Sequence, residues 1–219
     1  MALVLNGSND TITGLQINSA NIVDGSIVDA DISGMASSKL SGALPAISGA
    51  SLTNLPAGGK FASYAIIGDV KAANADGGTF TTGAWRTRDL NTEISDADSI
   101  VSISSNQFTL AAGSYLIIFS AQAHQPNSHQ TRLYNATTSA NVQFGQAMYS
   151  GTSEGVTTAS RGVARVTISG STVFEIQHRS AATKATFGLG VGSSGNMNWG
   201  GSAATDGAIY CTVEIYKEA

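Results

Sequence analysis

The feature that most constrains the fold is an isoleucine at every fifth position near the start of the chain. The repeat is formed by Ile12, Ile17, Ile22, Ile27 and Ile32. A step of five turns a helical side chain by roughly 140° and reverses the face of a strand, so neither regular element alone keeps these side chains together. Because such a short repeat buries little surface against itself, it needs other copies of the same stripe. We therefore predict that residues 1–34 form the stem of a homotrimer.

Residues 35–60 change in character, since turn-forming residues dominate but an apolar residue still recurs every three to five positions. Pro45 and Pro56 limit helix formation in this stretch. We predict an extended, partly ordered neck that ends in a hinge at Gly58 and Gly59, with a flexible tether as the alternative.

The remainder, residues 61–219, is predicted to form one all-β domain, because β-branched and aromatic segments recur between turn clusters. The spacing favours a β-sandwich or a jelly roll over alternating strands and helices. Gly170 and Ser171 are expected to close a tight hairpin between two of the strands. The predicted strands are Phe61–Val70, Thr79–Arg88, Ser99–Leu110, Ser114–Ala123, Thr131–Asn135, Val142–Tyr149, Val163–Ser169, Thr172–Arg179, Ala185–Val191 and Ala208–Tyr216.

Charge is scarce, with 11 Lys and Arg against 15 Asp and Glu, and the charged residues are scattered singly. No basic patch is available to neutralise phosphates, so nucleic acid is not an expected ligand. Tyr115 to Phe119 is the longest aromatic and aliphatic run, whereas a membrane-spanning helix needs about 20 apolar residues. The first residues lack the basic region of a secretory signal. We expect neither membrane insertion nor export by a signal peptide.

The residue types that carry catalysis are not arranged as in an enzyme, and we predict no catalytic residue, cofactor or metal. None of the histidines has a metal-binding spacing. His124 and His129 bracket a loop, where they are hydrogen-bonded loop residues or, alternatively, receptor contacts. Cys211 is expected to be a small core residue. An acidic cluster in a turn-rich stretch predicts a solvated loop, with a calcium site as the alternative; it contains Asp89, Glu93, Asp96 and Asp98.

Binding has better candidates in a long glycine-rich loop at 188–202. Trp199, with Asn196 and Asn198, is placed to stack on a sugar ring and bond its hydroxyls, although Trp199 as a loop anchor is the alternative. Trp85 lies in a strand pattern beside Arg86 and Arg88. That tryptophan is expected in the core or at a subunit interface, with the arginines pairing across chains, rather than at a receptor.

Two resemblances extend this interpretation. Phe108, Gly113 and Tyr115 resemble the core motif of the complement and tumour necrosis factor jelly-roll superfamily, which implies a trimer with strands packed about a threefold axis. The whole chain resembles small tail-fibre proteins of bacteriophages, including those of marine cyanobacteria, on an isoleucine-rich stem at 18–32, a connector at 44–56 and a head segment at 129–137.

The tail-fibre resemblance implies a virion structural protein that is made in the host cytoplasm and trimerises. Its N-terminal segment would attach to other tail proteins, and its head would bind the host surface, with a glycan as the expected receptor. Three weak sites on one rigid head would gain avidity. A structural head fibre or capsid decoration protein without receptor binding is the alternative. A polysaccharide-degrading spike is a third class, which would need a convergent pair of carboxylates.

Overall fold

The computed structural model describes residues 60–72, 75–192 and 207–219, and these form strands with no helix among them. The predicted all-β class is therefore confirmed. No helix in the described ranges is long and apolar enough to cross a membrane. The strands are β1 (Phe61–Lys71), β2 (Arg86–Thr87), β3 (Thr92–Ser95), β4 (Val101–Ser104), β5 (Gln107–Leu110), β6 (Gly113–His124), β7 (Asn127–Asn135), β8 (Ala140–Phe144), β9 (Met148–Ser150), β10 (Thr157–Ile168), β11 (Thr172–Ser180) and β12 (Ala208–Glu218).

The predicted stem at 1–34, with its five isoleucines, lies outside the described residues, as does the predicted neck apart from Lys60. The trimeric stem and the hinge at Gly58 and Gly59 remain predictions.

The strands form two antiparallel sheets. The first sheet has the order β10-β6-β12-β1-β3, and the second has the order β4-β5-β11-β7-β8, with β2 beside β11 and β9 beside β7. The pairing is nested along the chain, since β1 pairs with β12, β5 with β11, β6 with β10, and β7 with β8. A long antiparallel ribbon rolled up in this way is a jelly roll, which is one of the two architectures that the spacing of the strands predicted and the one that the resemblance implied.

Strict alternation of side chains builds the core between the sheets. In β6, Tyr115, Ile117 and Phe119 are buried, while the residues between them are half-buried on the outward face. They meet the inward residues of the second sheet, where the rings of Phe108 and Phe174 stack with centroids 5.7 Å apart. Each such side chain contributes roughly 1.5–3 kcal/mol when it leaves water. This core fixes which residues of both sheets face outward.

Some predicted boundaries are wrong for topological reasons. Gly170 and Ser171 do not close a hairpin, because β10 belongs to the first sheet and β11 to the second. The two residues instead carry the chain from one sheet to the other. Segment 185–191 contains no strand, and segment 79–88 contributes only β2 and one bridge between Phe80 and Lys184.

The outward face of the first sheet exposes several large apolar side chains. Tyr64 is 53% exposed and Val163 is 56% exposed. At one end of the face, the rings of Phe61 and Tyr216 lie with centroids 5.3 Å apart. Ile94 and Ile209, both exposed, flank Gly68 on β1. Clustered apolar exposure of this kind marks an interaction surface. We call this the apolar face of the first sheet.

Candidate functional site

The outward face of the second sheet has a different chemistry. On β7, His129, Thr131 and Leu133 are buried, so the intervening residues, Arg132 among them, point outward. On β11 the inward residues include Ile176 and His178, which places Gln177 and Arg179 outward. The register pairs Arg132 with Gln177 and Gln130 with Arg179. Strand pairing therefore brings two arginines onto one patch of sheet.

A tryptophan lies on this patch because β2 adds to the free side of β11. Arg86 pairs with His178, so Trp85 is opposite Arg179 one residue beyond the recorded pairs. The Cζ atom of Arg132 is 4.3 Å from the indole centroid, and that of Arg179 is 4.8 Å away. Cation–π contacts of this kind contribute about 0.5–1 kcal/mol each at exposed sites.

Two more aromatic side chains lie nearby, one beside the indole and one beside Arg132. The ring of Phe144, which is 46% exposed, has its centroid 5.9 Å from that of Trp85. The Cζ atom of Arg132 also lies 4.7 Å from the centroid of Tyr134. We refer to Trp85, Arg132, Tyr134, Phe144 and Arg179 together as the Trp85 platform.

Hydrogen bonds hold Arg132 in place. Its Nε and Nη2 groups donate to Oε1 of Gln177 at 2.8 and 2.5 Å. The amide of Gln177 in turn donates to Glu175, whose other carboxylate oxygen accepts from Gln107 at 2.9 Å. Burial lowers the pKa of Arg132, the nearby Tyr134 and Glu175 act in the opposite direction, and the positive charge of Arg179 adds to the lowering. Among the described residues, neither guanidinium forms a salt bridge with a carboxylate.

The platform borders two concavities. One has a volume of about 350 Å³ and includes Ser128 and Gln130 in its lining. The other has a volume of about 300 Å³ and includes Trp85. Arg179 and Ser180 line both concavities. The Ser180 hydroxyl is buried on the inward side of β11 and has no hydrogen-bond partner among the described residues.

The predicted receptor histidines are not at an exposed loop tip. His129 is 3% exposed within β7, where its Nδ1 lies 2.8 Å from Nε2 of His178 and its Nε2 lies 2.7 Å from the Thr158 hydroxyl. Burial lowers the pKa of His129 to about 4 and that of His178 well below its usual range, and Arg88 lowers both further. The burial of this ring inside the sandwich argues against the predicted receptor contact by His129.

His124 ends β6 and is 7% exposed. Its Nδ1 lies 2.7 Å from the Thr157 hydroxyl, and its ring meets Phe187 edge-on. Its burial likewise argues against receptor contact, and the contact with Thr157 fits the alternative of a hydrogen-bonded residue.

Arg88 does not pair across chains. It is fully buried, and its guanidinium donates to the carbonyls of Gln122, Leu189 and Tyr210 at 3.3, 2.9 and 3.1 Å. Cys211 is buried in the core as predicted, and burial raises the pKa of its thiol to about 12.

The acidic residues are occupied locally. Asp96 accepts from the backbone amides of Ile100 and Val101 at 2.9 and 3.1 Å, and Asp89 lies 2.6 Å from the ammonium of Lys71. Within the described ranges, no group of three or more His, Cys, Asp or Glu side chains converges on a possible metal position. The solvated-loop interpretation accounts for Asp96 as a turn-forming residue.

Trp199, Asn196 and Asn198 lie outside the described residues, so their proposed sugar contacts stay a prediction. Sequence reasoning missed four of the five platform residues and placed the fifth, Trp85, away from a receptor. The outward positions of β7 could have been found from the alternation at 129–135. The convergence on Trp85 could not, because it depends on pairing between segments far apart in the chain.

Comparison with known proteins gives structural similarities only. No family model matches the sequence, and no curated relative matches it either. The chain is similar to the globular domain of zebrafish complement 1qA protein, with 13% identity, a TM-score of 0.44, and coverage of 70% of this chain and 95% of that one. It is similar to the PRD1 vertex protein P5 (11% identity, TM-score 0.46, 74% and 100% coverage) and to murine APRIL at pH 8.0 (6% identity, TM-score 0.41, 71% and 98% coverage).

Proposed function

We propose that this protein is a trimeric tail fibre of a bacteriophage whose C-terminal head adheres to the host cell surface without catalysing a reaction. The observation that carries the proposal is the contrast between the two outward faces of one sandwich. The first sheet exposes Tyr64 and Val163 on an apolar face, whereas the second carries the Trp85 platform. One face suits assembly with further copies, and the other stays available for a receptor.

The apolar face supports assembly by the hydrophobic effect, since each square ångström of apolar surface buried contributes about 25 cal/mol. Closed cyclic symmetry follows when identical chains cover one another's apolar faces. A threefold arrangement also supplies the two further isoleucine stripes that the stem sequence needs. We therefore assign the apolar face of the first sheet to contacts between copies.

Light scattering tests the assembly. The full chain should have a mass near three times the 22.3 kDa of one chain. Replacing Val163 with Asp places a charge on the apolar face and should yield smaller species, whereas Gln143→Asp, at an exposed position of the second sheet, should leave the mass unchanged. A monomeric wild-type chain would refute the fibre.

Adhesion is tested by labelling the full-length protein with a fluorophore and incubating it with a panel of cyanobacterial strains. We expect saturable labelling of some strains and none of others. A trimer that labels no strain, yet decorates virions from which it had been removed, would favour the structural alternative of a head fibre or capsid decoration protein.

A further inference from the structure

We propose that the Trp85 platform binds an acidic sugar, one that carries a carboxylate, sulfate or phosphate group on the ring, within the host-surface glycan. This inference rests on the adhesion function proposed above and names the class of its receptor. Three properties of the platform support it: an excess of positive charge, exposed aromatic surface and side-chain amides beside them.

Charge complementarity favours an anion. The Cζ atoms of Arg132 and Arg179 both lie within 4.8 Å of the Trp85 centroid, and no carboxylate lies within salt-bridge distance of either guanidinium in the described part of the chain. The nearest acidic group on this face, Glu175, reaches Arg132 only through Gln177. An oxyanion between the two guanidiniums would relieve their repulsion and accept charge-assisted hydrogen bonds, which are about twice as strong as neutral ones.

The arginines differ in how much freedom they keep. The Nε and Nη2 groups of Arg132 already donate to Gln177, so the fold fixes the orientation of this guanidinium. A ligand that binds it therefore pays little further conformational entropy for that side chain. Arg179 is exposed and has one long contact, from Nη2 to Oε1 of Gln130 at 3.4 Å. Most of its donors are available to a ligand. Arg179 is therefore the principal anion contact, and Arg132 supplies a fixed charge behind it.

Sugar recognition follows from the surroundings of the charge. Phe144 is 46% exposed, and Tyr149, which pairs with the outward residue Ser128, is 61% exposed. Aromatic rings of this kind offer apolar faces to the C–H side of a pyranose. A bound sugar would cover these rings and remove their apolar surface from water, which favours binding. The two concavities that share Arg179 give room for adjacent sugar units.

The position of the platform is compatible with assembly. The apolar face belongs to the first sheet and the platform to the second, and the two surfaces approach each other at one edge, where Phe144 and Val163 line a shared concavity. A trimer joined through the first sheet would present three platforms outward. Weak sites repeated in this way act together with a high effective concentration.

The test is a glycan array printed with neutral, carboxylated, sulfated and phosphorylated oligosaccharides, probed with the labelled full chain. Selected spots are then measured by calorimetry with the soluble oligosaccharide, so that avidity does not hide changes at one site. We expect binding to at least one acidic class and none to its neutral counterpart. Affinity should weaken with added salt, because the contact is exposed and salt screens it.

Matched variants assign the binding to the platform. Arg179→Gln should lower affinity for the acidic glycan at least tenfold, and Arg179→Lys should recover part of it, since the charge returns without the planar fork. Lys60→Gln removes one positive charge from an exposed position at the start of β1 and should leave affinity unchanged. Equal trimer mass and equal thermal stability of the variants show that folding is not the cause.

Two results would overturn the inference while leaving adhesion in place. One is binding confined to neutral glycans, or acidic binding that Arg179→Gln leaves intact. The other is an array without any bound glycan, combined with labelled cells, which would point to a different receptor. If the labelled protein binds no cells, the proposed adhesion function fails. The cell assay detects that outcome independently of the glycan array.

Discussion

Acidification should destabilise the head, because two adjacent histidines are buried in their neutral forms. His129 and His178 share a 2.8 Å contact inside the sandwich, and burial holds the pKa of each below its ordinary value of 6.5. Since unfolding exposes both rings to water, the unfolded state binds more protons than the folded state below pH 6.5. Stability from this pair is therefore fully present above that pH and is lost as the pH falls.

The magnitude follows from the pKa of His129, which is about 4 in the folded protein. The gap of about 2.5 pH units corresponds to about 3 kcal/mol at 1.36 kcal/mol per unit. At pH 5 about 2 kcal/mol of the free energy of unfolding should already be lost through His129 alone. His178 adds to this loss, and His124, with a pKa also lowered by burial, acts in the same direction. Asp69 opposes it, because burial raises the pKa of that carboxyl.

Urea unfolding of the full chain at pH 7.5, 6.5 and 5.5 measures the effect, at one fixed protein concentration because assembly couples to stability. The double variant His129→Gln, His178→Asn should be less stable at pH 7.5 but should lose less stability on acidification. An unfolding free energy that stays constant from pH 7.5 to 5.5 in the wild-type protein would refute the reasoning, whatever the variant does.

Three further predictions concern the core. Gly162→Ala should cost about 1–3 kcal/mol of stability, since a Cβ atom there would lie 2.1 Å from Cζ of Phe119; thermal denaturation measures it, and an unchanged melting temperature would contradict the packing. Phe174→Ala should lower the free energy of unfolding by about 3–5 kcal/mol, because it removes the ring that stacks on Phe108. The shift in the urea midpoint measures this loss, and a loss below about 1 kcal/mol would contradict the place of Phe174 in the core. The Cys211 thiol, whose pKa burial raises to about 12, should react with Ellman's reagent only in denaturant, and rapid reaction of the native protein would show that the strand is accessible.

The fold was predictable from local pattern wherever a strand has one buried face. In β6 and β12 the alternation of apolar residues identifies both the strand and its inward side. The nested pairing that makes these strands a jelly roll is a long-range property. Gly170 and Ser171 show the limit, because a glycine turn between two strands looks the same whether the strands pair or belong to different sheets.

The candidate site was less predictable for the same physical reason. Arg132 and Arg179 are 47 positions apart, and only the register of β7 against β11 brings them to one tryptophan. The sequence likewise predicted a loop position for His129, because Pro126 and Asn127 resemble a turn. The structure begins β7 at Asn127 and turns that ring into the core. A shift of one residue in where a strand begins or pairs moves every side chain to the opposite face of the sheet.

The pairing of the first and last strands has a mechanical consequence. In the proposed fibre, the head is attached through the chain that precedes Phe61. When the platform is bound to a cell, movement of the virion relative to the cell applies a pulling force to the head. The component of the pull that runs along β1 acts on a strand that lies between β12 and β3 and pairs with β12 from Phe61 to Lys71. Hydrogen bonds between antiparallel strands run perpendicular to the strand axis, so this force loads them in shear and they must break together rather than one by one. The strand nearest the tether is thus the one best arranged to resist extraction under load.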